Sequence, residues 1–224
     1  MKTLLKIGST VLLSGMMALP VCAQQTAAAD APTAADVPLL QQLQKVEADP
    51  ALSQAAIKQG AKLSTFCANC HGANGNSTHP DTPNLAGQHP QYLLGQTLKF
   101  ADGRRRYAFM EGLIKAMRPD EIIAVALYFA GQPVTTKVSP DSAALVEQGR
   151  NYFNKVCFRC HGNDGHGSDT YARLAGQQES YVTLTLHRYR EGGGIRMDPL
   201  MASSTKLMDD ETIRAVAAYV ASMP

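Results

Sequence analysis

The chain has 224 residues, with 21 Lys and Arg against 19 Asp and Glu, a formal net charge of +2, and five cysteines. So even a balance gives no reason to expect nucleic acid as a partner. Beyond the first residues no apolar run is long enough to span a bilayer, and the length suits one domain or two small ones.

Residues 1–23, MKTLLKIGSTVLLSGMMALPVCA, have a basic start (Lys2, Lys6), an apolar centre and a Val-Cys-Ala site, and read as a cleaved secretory signal. Cys22 as a lipoprotein acceptor is the lesser alternative, because Val21 suits that processing poorly; an uncleaved anchor is another. Removing the segment leaves 19 basic and 19 acidic residues and four cysteines, all in two motifs. Residues 24–49 form an N-terminal extension, Ala-rich and polar at first, then carrying Leu39, Leu40, Leu43 and Val46 in a helical stripe. The stripe is expected to cover the domain that follows, with a partner-docking helix as the alternative.

A helix is predicted over PALSQAAIKQGAKLSTF, with Gly60 in its middle. Such a glycine costs roughly 1 kcal/mol against Ala and suggests a close helix crossing. The helix leads into Cys67-Ala-Asn-Cys70-His71, and Cys157-Phe-Arg-Cys160-His161 stands 90 residues later. Cys-x-x-Cys serves redox dithiols, zinc sites and covalent haem attachment. A dithiol needs no histidine there and usually follows the first strand of a βαβ pattern, which is absent. A four-cysteine zinc site separates its pairs by about 15 to 20 residues, whereas 86 lie between Cys70 and Cys157. In one helical turn, positions i and i+3 share a face, so both cysteines can reach one porphyrin edge, with the histidine beneath the iron. Two haems are therefore expected, held by Cys67, Cys70, Cys157 and Cys160, with His71 and His161 on iron.

The repeat continues past the motifs. Leu-Ala-Gly-Gln recurs at 85–88 and 174–177, Tyr92 meets Tyr181, and Gly103 meets Gly192. MRPDEIIAVALYFAG answers MDDETIRAVAAYVAS, so Ile122, Val125 and Tyr128 fall on Ile213, Val216 and Tyr219 at helical spacing. The second repeat opens with DSAALVEQGRNYFNKV, where Gly149 matches Gly60. GQPVTTKVSPDS between them has no helical pattern and puts the boundary near Thr136. No convincing strand is found. The expectation is an all-α chain of two haem domains, 50–136 and 137–224, each of about three helices. At about 80 to 90 residues a bare core is marginal, and a porphyrin would complete it.

Two methionine pairs recur at an offset of 91, Met110 with Met201 and Met117 with Met208. Met117 and Met208 stand just before a helix start and can staple onto Ile122 and Ile213. Met110 and Met201 fall in a stretch with no amphipathic pattern and are assigned to iron, while Met197 has no counterpart and reads as a bystander. A neutral, soft thioether favours Fe(II) and raises the potential. His79, His89, His166 and His187 read as surface residues, with replacement of a methionine ligand by one of them as the alternative. Arg104, Arg105 and Arg106, with Arg196 near the matching place, read as partners for haem propionates, with a docking patch as the lesser alternative.

Taken together, Cys-x-x-Cys-His, Leu-Ala-Gly-Gln-x-x-x-Tyr, the methionine seven residues before the final helix and the aromatic within that helix resemble the di-haem cytochrome c4 family, over residues 50–224. The resemblance implies tandem class I cytochrome c domains, two covalently bound haem c, and axial pairs His71 with Met110 and His161 with Met201. It also implies a periplasmic electron-transfer carrier with no catalytic residues, working between a respiratory donor and a terminal oxidase or reductase, with peripheral membrane association open. Pro83 matches the family's proline whose carbonyl meets the proximal histidine; the second repeat departs with Ala172. The alternatives are a non-catalytic cytochrome subunit of a dehydrogenase, or a di-haem enzyme such as a peroxidase or a thiosulfate dehydrogenase. Retention of a methionine in both repeats speaks against a peroxidase, and the lack of a spare cysteine against a cysteine-ligated thiosulfate enzyme.

Overall fold

The structure, a computed structural model, describes residues 32–136 and 140–224. The expected secretory segment and the start of the extension lie outside the described residues. Among the described residues the regular elements are all helical, apart from one antiparallel bridge between Arg105 and Arg196. The first half holds α1 (Val37–Ala48), α2 (Pro50–His71), α3 (Pro90–Ala101), α4 (Ala108–Ala116) and α5 (Pro119–Ala130). The second holds a 3-10 turn (Pro140–Leu145), α6 (Val146–Phe153), α7 (Phe158–His161), α8 (Glu179–Glu191), α9 (Pro199–Thr205) and α10 (Asp210–Ser222).

There are more helices than the three expected in each half. The additions include α4 and α9, of 9 and 7 residues, too short for a periodic pattern to stand out. Met110 and Met201 thus lie on helices, not in the irregular stretches expected for them. Both helices are stabilised at their starts. Asp198 accepts from the Met201 amide at 2.9 Å ahead of Pro199, and Glu111 accepts from the Tyr107 amide at 3.0 Å.

The halves also differ where they enter their motifs. α2 runs unbroken through Cys67 to His71, whereas α6 stops at Phe153 and a separate turn, α7, carries Cys160 and His161. Seven positions separate Gly60 from Cys67, but eight separate Gly149 from Cys157. Each residue rotates an α-helix by about 100°, so a continuous helix would carry the second motif off its face. The break absorbs the extra residue.

Gly60 and Gly149 sit where α2 crosses α5 and α6 crosses α10. A Cβ at Gly60 would overlap the carbonyl of Ala124, and one at Gly149 that of Ala215. The missing side chain lets the backbones touch. α5 and α10 are the most buried helices of their halves. Ile122, Ile123 and Leu127 join Leu94, Phe100 and Ile114 in one core, while Ile213, Val216 and Val220 join Phe153 and Leu186 in the other. Leu43 of α1 is fully buried in the first core, with Leu39, Leu40 and Val46 packed against it, so the stripe covers its own domain. Arg104 ties the start of this segment down by pairing with Asp36 at 2.7 Å and Asp102 at 2.6 Å.

Candidate haem sites

Each motif closes a helix. α2 ends on His71 and α7 on His161, and Gly72 and Gly162 turn the chain away with φ of 78° and 77°, a left-handed conformation that favours glycine. Cys67 and Cys157 are half-buried, while Cys70 and Cys160 are exposed. Burial pushes the Cys157 thiol up to about 12 and that of Cys67 upward as well, the reverse of the depressed pKa of a redox dithiol. Among the described residues no cluster of three or more His, Cys, Asp or Glu could hold a bare metal ion.

Both histidines are oriented by a backbone carbonyl. His71 Nδ1 lies 2.9 Å from the Pro83 carbonyl oxygen, and His161 Nδ1 lies 2.8 Å from that of Ala172. A carbonyl only accepts, so Nδ1 carries the proton and Nε2 keeps its lone pair. Desolvation by burial, the largest influence, pulls both imidazoles below their usual pKa although the carbonyls oppose it. The neutral form is the one that binds iron. The change from Pro83 to Ala172 keeps the bond at similar length. The surroundings differ more, because Tyr171 packs edge-on against His161 with ring centroids 6.3 Å apart, where the first half has Thr82.

Met110 and Met201 are each the third residue of their short helices and lie half-buried against the core of their half. In the second half Met201 and Cys157 pack against the same core cluster. In the first, Met110 and Cys67 pack against different ones. Met208 is 5% exposed in the cluster of Ile213, and Met117 packs against the cluster of Ile122, as staples would. Met197 is exposed.

Of the four arginines expected at propionates, two are already committed to protein carboxylates: Arg104 to Asp36 and Asp102, and Arg106 to Glu111 at 3.0 Å. Arg105 and Arg196 are different. They face each other in the antiparallel bridge, and the Arg106 amide donates to the Ile195 carbonyl beside them at 3.1 Å. Both guanidinium groups donate to Gln96 Oε1, at 3.0 and 3.3 Å, and both reach the Tyr181 hydroxyl. Neither forms an ion pair among the described residues. Burial brings Lys99 down to about 8; Asp198 opposes this and the neighbouring arginines add to it. Like charges gathered in a half-buried site call for anions, and haem propionates are anions of the right kind. The neutral histidines, the paired cysteines and this cationic pocket together fit haem c.

The halves meet through the repeated Leu-Ala-Gly-Gln. Gln88 reaches across so that its Oε1 accepts from the Arg173 amide at 2.8 Å and its Nε2 donates to the Arg173 carbonyl at 2.9 Å. Gln177 returns the contact, accepting from the Asn84 amide at 2.7 Å and donating to its carbonyl at 3.0 Å. His89, expected on the surface, has its Nε2 2.7 Å from the His166 carbonyl across the same boundary. Cβ atoms added at Gly87 and Gly176 would both run into Val134 of the linker. The repeat marked both glutamines in the sequence, but nothing local showed that each pairs with a residue of the other half.

Residues 57–130 match the family model described as Cytochrome c, and residues 144–220 match that described as Cytochrome C oxidase, cbb3-type, subunit III. Cytochrome c4 of Pseudomonas aeruginosa is 32% identical over 173 residues, covering 72% of this chain and 85% of that protein. The chain belongs to the cytochrome c4 family. The crystal structure of reduced recombinant cytochrome c4 from Pseudomonas stutzeri superposes with a TM-score of 0.68 at 27% identity, covering 75% of this chain and 98% of that one. A thiosulfate dehydrogenase electron acceptor of Thiomonas intermedia is 32% identical over 171 residues, covering 70% of this chain and 78% of that protein. As a cytochrome c4, the chain is an all-α di-haem electron carrier with two covalently bound haem c. No helix among the described residues is long and apolar enough to cross a membrane.

Proposed function

We propose that this cytochrome c4 is a periplasmic shuttle without catalytic residues, taking electrons from a respiratory donor and passing them to a terminal oxidase or reductase. His71 with Met110 and His161 with Met201 are its axial pairs, in domains spanning 50–136 and 137–224. The observation that supports this best is equivalence. Each half offers a neutral histidine held by a carbonyl at 2.8 to 2.9 Å and a methionine as third residue of a short helix. A division into a catalytic and a donating haem would require the halves to differ at these positions.

Bound haem supplies a one-electron Fe(III)/Fe(II) couple. The chain fixes the imidazole tautomer, offers a soft thioether, and gathers Arg105, Arg196 and Lys99 where propionate charge needs compensation. A redox titration followed by absorption and near-infrared spectra tests the reading. Two low-spin haems, each with a sulfur-to-iron band and neither binding carbon monoxide rapidly, are expected. Rapid carbon monoxide binding at one haem, or two-imidazole ligation, would remove the carrier or the ligand assignment.

The similarity to a thiosulfate dehydrogenase electron acceptor supports a second reading, in which the donor is a sulfur-oxidising enzyme. Stopped-flow reduction of the oxidised protein by such an enzyme, compared with reduction by a quinol-oxidising donor, separates the two.

A further inference from the structure

Resting on the proximal roles given above to His71 and His161, we infer that the interdomain glutamines are positioning residues that tune the haems crosswise. Gln177 of the second half sets the potential of the haem in the first, and Gln88 of the first half sets that of the second.

The geometry that carries this is a shared peptide unit. The amide between residues 83 and 84 presents its carbonyl to His71 Nδ1 at 2.9 Å, and its N–H, on Asn84, donates to Gln177 Oε1 at 2.7 Å. The amide between 172 and 173 presents its carbonyl to His161 Nδ1 at 2.8 Å, and its N–H, on Arg173, donates to Gln88 Oε1 at 2.8 Å. Each proximal histidine is therefore one peptide away from the other half's glutamine.

Chains of hydrogen bonds polarise one another. An N–H that donates shifts amide electron density toward its own carbonyl oxygen, making that oxygen the better acceptor. The histidine N–H bond lengthens in response, the ring gains basicity, and a more basic axial ligand favours Fe(III). Each glutamine contact should thus lower the potential of the haem across the boundary.

Two features make the relay specific. Gln88 and Gln177 are 6% and 8% exposed, so water does not readily replace Oε1. Their Nε2 groups donate to the carbonyls of Arg173 and Asn84 at 2.9 and 3.0 Å, which fixes the side-chain amide with its oxygen toward the N–H. The Asn84 Nδ2 donates to the Gly176 carbonyl at 3.0 Å, adding a further tie on that side.

The test is a redox titration of the full-length, haem-loaded protein and its Gln177→Leu and Gln88→Leu variants, with the NMR shift of each proximal Nδ1 proton in the reduced state. Gln177→Leu should raise the potential of the first haem, changing its reduced-to-oxidised ratio at the wild-type midpoint on the order of threefold. It should also move the His71 proton upfield and leave the second haem in place. Gln88→Leu should do the converse. Gln177→Glu, which keeps the acceptor, should not raise the first potential. Small-angle scattering separates tuning from undocking, because the variants should keep the wild-type shape. Variants that shift the haem of their own half, shift both equally, or shift neither while both sulfur bands persist would overturn the inference. Absence of covalent haem, or of a haem-shifted Nδ1 proton from His71 or His161, in the wild-type protein would instead count against the proximal assignments.

Discussion

Met201 and Met208 are seven residues apart and differ in what removing their side chains should do. Met201→Ala should open the sixth position of the second haem, admit water or carbon monoxide, and remove that haem's sulfur-to-iron band, all visible by absorption spectroscopy. Met201→His should lower that potential by on the order of a hundred millivolts, given the range that axial ligands control. Met197→Ala, at an exposed position, should do neither. Met208 is 5% exposed in the core, so Met208→Ala should cost about 2–5 kcal/mol in denaturant unfolding while the band persists. Cys-x-x-Cys-His was legible because its chemistry depends on neighbours in sequence. Gln88 and Gln177 were not, because each acts on a residue of the other repeat. The arginines fall between: four cations pointed to propionates, yet Arg104 and Arg106 had acidic partners already, Asp36 among them, 68 residues before Arg104.

Helix crossing and helix breaking are where sequence and structure can be compared element by element. Gly60 and Gly149 announced the crossings because a mid-helix glycine is costly without a reason, and the reason is the carbonyl of Ala124 or Ala215. Ala at either position improves helix propensity by roughly 1 kcal/mol but pushes a methyl group into backbone. Gly60→Ala and Gly149→Ala should each destabilise the protein by about 1–3 kcal/mol net, measured by urea unfolding of the haem-loaded form. α4 and α9 escaped detection because a helix of two turns shows too few repeats of its pattern. The break before α7 was encoded in one extra residue, but which side of the insertion stays helical depends on packing. At α1, burial pushes the Asp36 carboxyl up, but bonds from Thr33 and Arg104 outweigh it and its pKa lies below the usual 3.8. A depressed carboxylate stabilises fully above its unfolded value and loses that contribution as pH falls through the folded one. Protection of the Leu40 to Val46 amides against hydrogen exchange should therefore fall on acidification below about pH 4, and Asp36→Asn should remove most of that dependence.

The whole molecule is two similar halves joined by a short linker that is itself part of the boundary. Asn76 holds the linker from both sides, donating to the Pro133 carbonyl and accepting from the Thr135 amide, each at 2.8 Å. Each half has its own core, motif and closing helix, so separating the chain after Thr136 should leave two fragments that each bind one haem with methionine ligation. Fragments that stay unfolded with haem attached, by circular dichroism, would show that neither half is a unit. The repeat made the doubling legible, whereas the boundary was not, since its glutamine hydrogen bonds join residues 85 to 93 positions apart. The glutamine clasp, in which each half gives the contact it receives, is the isologous pattern by which identical subunits form a dimer. In such a dimer one sequence must serve both positions, and both metal centres are held to one intrinsic potential. A single polypeptide lifts that constraint, and the two halves differ: Pro83 stands opposite Ala172, Thr82 opposite Tyr171, and an intact helix opposite a broken one. A tandem pair can therefore keep a downhill step within itself, giving the electron a direction that a symmetric dimer could not.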